Sequence, residues 1–216
     1  MKLLSINVAL PTVVGANGQR VKTSIFKKPV AGPVIVRTLN LDGDQQSDLR
    51  VHGGPYKAVY AYSSENIEHW RKYLRRDDLG PGSFGENLTV EGLTDGEIAI
   101  GDELEIGTAR FVVTQPRIPC FKLGIALGMP EFPKIFHHAG RNGFYLQVMR
   151  EGRIEAGQEI RINVPKGQPR VTIADLVRYY KAKDLSPEDL ERIAALEALT
   201  PSWKEDFLER ASRRGS

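Results

Sequence analysis

From residue 3 to residue 164 the chain runs as short apolar and β-branched stretches, interrupted every few residues by glycine, proline or aspartate. This punctuation constrains the fold more than any other feature. It leaves little room for long helices and suits many short strands assembled as a barrel or sandwich. Strands are expected over residues 3–10, 34–39, 58–62, 87–91, 110–115, 144–149 and 159–164. One helix interrupts them: Ser63 or Ser64 can cap a segment in which Ile67, Trp70 and Leu74 share a face. His69 on that helix is expected at the surface.

The pattern changes after residues 165–170, where two prolines and a glycine suit neither helix nor central strand and mark a linker. Three helix starts follow: Thr172 with Asp175 three residues on, Ser186 before Pro187, and Thr200 before Pro201. Leu176, Tyr179, Tyr180, Leu190, Ile193, Leu199, Trp203, Phe207 and Leu208 are expected to share the core of a three-helix unit. The expected division is therefore a β domain over 1–164, a linker over 165–170 and a helical domain over 171–216. Hydrophobic content of 41% and charged content of 26% in 216 residues exclude a largely disordered chain. An excess of three positive charges, from 30 basic and 27 acidic residues, is too small to argue for nucleic acid. The first eight residues are too short and too polar for an export signal, and no stretch approaches the roughly 20 apolar residues of a spanning helix. With a single cysteine, the expected compartment is the cytoplasm.

That cysteine, Cys120, lies in Gln-Pro-Arg-Ile-Pro-Cys-Phe-Lys-Leu, after the strand over 110–115. It cannot form an intrachain disulfide, so a chemical use would be as thiolate ligand or nucleophile; the plain alternative is a small buried apolar side chain. Pro116 and Pro119 stiffen the connection, and Arg117 and Lys122 would favour a charged sulfur if they fold near it. Between the second and third strands, His52 precedes Gly53 and Gly54, with Asp42, Asp44 and Asp48 nearby. Bare backbone beside an imidazole lets a ligand approach N–H groups while the ring moves a proton; a polar turn would use the same residues. Ser83, Glu86 and Asn87 in Pro-Gly-Ser-Phe-Gly-Glu-Asn-Leu could hydrogen-bond a polar heterocycle, although no Gly-Lys-Ser/Thr follows and nucleotide hydrolysis is not indicated. Lys27, Lys28, Arg50, Lys57, Arg117, Lys122 and Arg141 flank the strands and could meet a phosphorylated ligand. His137 and His138 fit no zinc pattern and are expected in a solvated loop.

Three segments taken together resemble the MOSC domain family, named for the C-terminal domain of molybdenum cofactor sulfurases. They are the aspartate-rich stretch ending in His52-Gly53-Gly54 and Lys57-Ala58-Val59-Tyr60, the run from Ser83 to Leu88, and Gln115-Pro116-Arg117 through Cys120, Lys122 and Leu123. The likeness is closest to the YiiM-like group. It implies a mainly β fold, a MOSC-type β-barrel with a few helices followed by a small C-terminal three-helix domain. It also implies a molybdenum cofactor, a metal held by a pterin dithiolene and completed by a protein thiolate, here Cys120. The implied activity is reduction of N-hydroxylated compounds such as 6-hydroxylaminopurine, a detoxification. On this likeness His52 delivers protons with Asp48 as accessory, while Lys28, Gly53, Gly54, Lys57, Ser83, Glu86, Asn87, Arg117 and Lys122 form the cofactor pocket. No flavin or nicotinamide fingerprint is present, so electrons are expected from a separate flavoprotein reductase. No membrane and no stable nucleic-acid complex is expected, and a homodimer is left open. The competing reading is a molybdenum cofactor or sulfur carrier without reductase activity. A purine or nucleic-acid module would need a denser basic face than the tail carries.

Overall fold

The computed structural model describes residues 1–16, 18–48, 53–167 and 169–213. Eight strands form one sheet: β1 (Lys2–Val8), β4 (Lys28–Pro29), β6 (Val59–Ser63), β7 (Leu88–Glu91), β8 (Glu103–Ile106), β9 (Ala109–Pro116), β10 (Phe144–Arg150) and β12 (Ile160–Asn163). Their order is β12-β8-β9-β10-β6-β7-β1-β4. Neighbours are antiparallel except β6 and β7. A parallel pair needs a crossover, and helix α1 (Ser64–Leu74) supplies it. Ser63 caps this helix by accepting from Asn66 N at 3.1 Å, and Ile67 and Trp70 are buried beneath it. Its half-buried His69 lies against Trp70 and Tyr73.

The sheet curls until its far end reaches β1. Leu3 N donates to Gln158 O at 2.9 Å, Gly157 N to Leu3 O at 2.6 Å and Ile160 N to Met1 O at 3.1 Å. The expected barrel is thus a curled mixed sheet whose seam is bridged by these bonds rather than by a strand ladder. Among the described residues two small sheets complete the β structure: the hairpin β2 (Thr12–Ala16) with β3 (Gln19–Thr23), and β5 (Val34–Val36) with β11 (Gly152–Ile154). The hairpin gave no alternating signal because it has no fully buried face; Val13 on it is 49% exposed.

Alternation along β8, β9 and β10, and a register shift between Leu3 and Ser5 on β1, send Leu3, Ile6, Leu104, Ile106, Phe111, Val113, Phe144 and Leu146 into one core, all at 0% exposure. Each such side chain contributes about 1.5–3 kcal/mol by leaving water. The core continues into the tail helices α4 (Ile173–Lys181), α5 (Pro187–Ala194) and α6 (Pro201–Ser212) through Val171 and Ile173. Thr172 and Asp175 form the reciprocal cap of α4, Ser186 accepts from Asp189 N, and Thr200 occupies the cap position of α6. Leu176, Leu190, Ile193, Leu199, Trp203 and Phe207 are buried as expected, whereas Tyr180 and Leu208 face solvent at 44% and 50% exposure. Arg170, at the end of the expected linker, reaches Asp102 with two hydrogen bonds of 2.7 and 3.0 Å.

Two short helices replace what the punctuation presented as loop: α2 (Phe121–Leu127) and α3 (Phe132–Ala139). Each ends on a glycine in the left-handed region, Gly128 and Gly140, so the breakers are the helix stops. His137 and His138 sit in the last turn of α3 rather than in a loop, and His138 Nδ1 lies 2.8 Å from Lys134 O. With Tyr62, Trp70 and Phe84, these helices enclose a second, aromatic cluster. Among the described residues no helix is long and apolar enough to cross a membrane.

Candidate functional site

Strand β9 runs through Pro116 to Arg117, and three residues later Cys120 stands at the start of α2, half-buried. Its neighbours come from distant parts of the chain: Tyr60 on β6, Tyr145 on β10, Lys57 on the 3-10 turn Pro55–Lys57, and the wall over residues 23–27. They surround an open cleft whose empty space, with the solvent at its mouth included, is about 590 Å³. Lys27, Lys57, Arg117 and Lys122 all line it, and no aspartate or glutamate does so among the described residues.

These cations differ in how far they are already paired. Lys27 makes a buried ion pair with Asp44, whose carboxylate also accepts from Ala9 N at 2.8 Å and Asn87 Nδ2 at 2.9 Å. Desolvation holds the Lys27 ammonium below its ordinary pKa, against the pull of Asp44. Lys122 Nζ donates to Ser47 Oγ at 3.2 Å, and burial lowers the pKa of Lys57. Arg117 is 6% exposed and lies between the rings of Tyr60 and Phe136, its guanidinium carbon 5.0 and 5.5 Å from their centroids. Burial opposes its charge, yet the neighbouring Tyr60, Tyr145 and Cys120 more than offset this, so its pKa lies above the ordinary value. Its Nη1 has no hydrogen-bond partner among the described residues, nor has Ser24 Oγ in the opposite wall. A buried donor left unpaired costs about 1–3 kcal/mol, so both atoms are suited to an acceptor brought by a ligand.

Of the residues singled out in the sequence, Lys27, Cys120, Lys57, Asn87, Arg117 and Lys122 meet in this cavity. Lys28 does not: it is exposed on β4, and the preceding residue, Lys27, takes the inward place. Ser83 and Glu86 do not line the cavity either. Ser83 Oγ accepts from Gly80 N at 2.9 Å, while fully buried Glu86 accepts from Gly82 N, Phe84 N and Thr89 Oγ1 at 2.6, 3.1 and 3.0 Å. Burial pushes the Glu86 carboxyl up to about 7. Together they shape the turn that carries the 23–27 wall, where a Cβ on Gly82 would stand 2.5 Å from Lys27 O. Gly54 caps the 3-10 turn at φ 91°, and neither it, Gly53 nor the half-buried Asp48 lines the cleft. Asp42 pairs at the surface with Arg37. Arg141 reaches Asn66 instead of the cleft. His52 and Arg50 lie outside the described residues. Ser24, Tyr60 and Tyr145 were not anticipated; the available signal was an aromatic at position 145, between the inward-facing Phe144 and Leu146.

Among the described residues no group of three or more histidine, cysteine, aspartate or glutamate side chains could hold a metal ion. A metal at Cys120 would have to arrive with most of its ligands.

Residues 48–161 match the model of the MOSC domain, and residues 171–213 match that of the YiiM-like 3-alpha helix domain. The chain belongs to the MOSC domain family. A Bacillus subtilis protein named "Uncharacterized protein YflK" is 36% identical over 213 residues, 98% of this chain and 95% of that one. The crystal structure of YiiM from Geobacillus stearothermophilus superposes with a TM-score of 0.80 at 34% identity, covering 97% of this chain and 98% of that one. A Gibberella moniliformis protein named "Reductase" is 29% identical over 175 residues, 80% of this chain but 31% of that longer protein.

Proposed function

We propose that this MOSC protein is a cytoplasmic molybdenum cofactor-dependent reductase, with Cys120 as the protein's ligand to the metal. It would remove the N-bound oxygen of N-hydroxylated bases such as 6-hydroxylaminopurine. The observation that carries this reading is the cleft itself: one thiol, four lining cations, a buried arginine nitrogen without a partner and no lining carboxylate among the described residues. Those residues fit an anionic molecule that brings its own metal ligands, and the lone sulfur fits completion of a metal already bound to sulfur. When bound, the cofactor supplies the two-electron redox chemistry.

The chain's residues do the rest. Lys57, Lys122 and Arg117 bind and orient the anionic part, and Arg117 does so from a site closed to water on most sides. Asn87 holds the wall, its Oδ1 accepting from Tyr60 N at 3.1 Å. His52, with Asp48, delivers protons. Overall, a hydroxylamino group takes up two electrons and two protons; the N–O bond breaks, and an amine and water leave. Electrons come from a separate flavoprotein reductase. That a region similar to this chain occurs inside a longer protein named "Reductase" supports a redox setting.

The test uses protein loaded with cofactor, a chemical reductant and 6-hydroxylaminopurine. Adenine is expected from the wild type, while Cys120→Ser should lose bound molybdenum, pterin fluorescence and product together. Equal metal and pterin in the serine variant would reject the ligand assignment. Loaded wild type that forms no adenine would favour the cofactor or sulfur carrier.

A further inference from the structure

Main-chain bonds hold Arg117 at the cleft. Arg117 N donates to Gly143 O at 3.1 Å, and Arg117 O accepts from Asn142 Nδ2 at 2.7 Å. One buried carboxylate grips the same two residues from the other side. Asp95 Oδ1 accepts from Asn142 N and from Gly143 N, both at 2.8 Å, and Oδ2 accepts from Asn66 Nδ2 at 2.7 Å. Asp95 is 6% exposed, and carboxylate-to-amide bonds of this kind are among the stronger hydrogen bonds available. Tyr60, whose ring forms one face of the Arg117 sandwich, also depends on this strap: its hydroxyl donates to Asn142 O at 2.9 Å. The strap lies close on β6, where a Cβ on Gly143 (φ +66°) would stand 2.6 Å from Ala61 O.

The tail holds both sides of the arrangement through one helix. At the start of α4, Ala174 N donates to Asp95 O at 2.8 Å and Ile173 N to Ile98 O at 2.9 Å. At its end, Lys181 Nζ donates to His137 O at 2.6 Å, beside Phe136, the other ring over Arg117.

We propose that Asp95 is a positioning residue which, clamped by the three-helix tail, sets where Arg117 presents its charge beside Cys120. The inference rests on reading this cleft as an anion site, but not on the reductase chemistry. Its test therefore uses the full chain made in a host unable to synthesise the pterin.

The readout is the ratio of Cys120 alkylation rates by iodoacetate and iodoacetamide, an anionic and a neutral reagent for the same sulfur. Arg117→Gln sets the ratio without the guanidinium, expected to be about tenfold below wild type. Asp95→Asn turns an amide donor toward Asn66 Nδ2, and its ratio should fall most of the way to that floor. Asp95→Asn combined with Asn66→Asp restores a donor opposite an acceptor and should recover the wild-type ratio. A purely structural Asp95 would change melting temperature or slow both reagents alike. A wild-type ratio in folded Asp95→Asn overturns the proposal, as does a wild-type protein whose ratio equals that of Arg117→Gln. If Asp95→Asn does not fold, Asn142→Ala removes only the side-chain bond to Arg117 O; an unchanged ratio there overturns it equally. Reductase failure in loaded wild type leaves these outcomes intact, so the two readings fail separately.

Discussion

The two apolar clusters of this molecule are built differently. The larger runs from the curled sheet into the tail and is mostly aliphatic. Around it, the helices α4 and α5 begin on side-chain caps. The smaller cluster has eleven buried residues, six of them aromatic, and it encloses the Arg117 guanidinium. Near that cation, Arg117 Nη1, Ser24 Oγ and Gln115 Oε1 lack partners among the described residues. Arg110 Nε and Asp206 Oδ2, on residues next to members of the larger cluster, are unpaired too, but Arg117 and Ser24 line the cleft, so the contrast separates a cluster that holds the protein together from one whose unpaired atoms lie where the proposed ligand would sit.

The largest effect should come from breaking the larger cluster. Phe207 is fully buried in the tail, and Phe207→Ala should cost about 3–5 kcal/mol. The chain's two tryptophans, Trp70 and Trp203, belong to the smaller and larger clusters respectively. Denaturation followed by the fluorescence of single-tryptophan versions should give one shared midpoint, lowered together. Loss of the Trp203 signal alone, with Trp70 unmoved, would show that the tail unfolds by itself and that the larger cluster is two.

A somewhat smaller effect sharpens the comparison through pH. Burial raises Glu86, beneath the cavity wall, from its ordinary 4.5 to about 7, so the native state binds this proton more tightly than the unfolded chain. Its contribution to stability is complete below the unfolded value and is lost as pH rises through the folded one. Linkage puts the loss at about 3 kcal/mol between those values. Glu86→Gln should flatten this limb in denaturation curves taken at successive pH values; a limb that survives in the glutamine variant assigns it to another group.

The same contrast explains what could be read from the chain. Strands such as β1 and β10 were legible because one face is wholly buried, and the tail because Thr172, Ser186 and Thr200 mark helix starts before apolar positions. Helices α2 and α3 were not: seven and eight residues long, they are bounded by the same glycines and prolines that read as loop. Cys120 stood out because it is the only thiol, and Arg117 because it is three residues away. The opposite walls could not be seen locally. Tyr145 and Tyr60 reach Arg117 because β9, β10 and β6 are adjacent in the sheet, an order set by long-range pairing. Lys27 and Lys28 are equivalent cations in the sequence, but at a strand edge one step along the chain exchanges a buried cation for an exposed one.

The smallest effect on stability tests the comparison most directly. Arg117→Met keeps an unbranched side chain between Tyr60 and Phe136 while removing a buried charge whose Nη1 is unpaired among the described residues. Losing the cation–ring attraction and the favourable interaction of the charge with neighbouring Tyr60, Tyr145 and Cys120 disfavours the variant; losing the desolvation penalty favours it. The two nearly cancel, and the expected change lies within about 1 kcal/mol of none. Cofactor retention, measured as pterin fluorescence after gel filtration, should fall sharply in the same protein. A fold that holds its stability and loses its ligand is what a charge that serves the ligand more than the scaffold must produce. If Arg117→Met instead melts as severely as Phe207→Ala, the arginine is part of the scaffold, and the distinction between the two clusters fails.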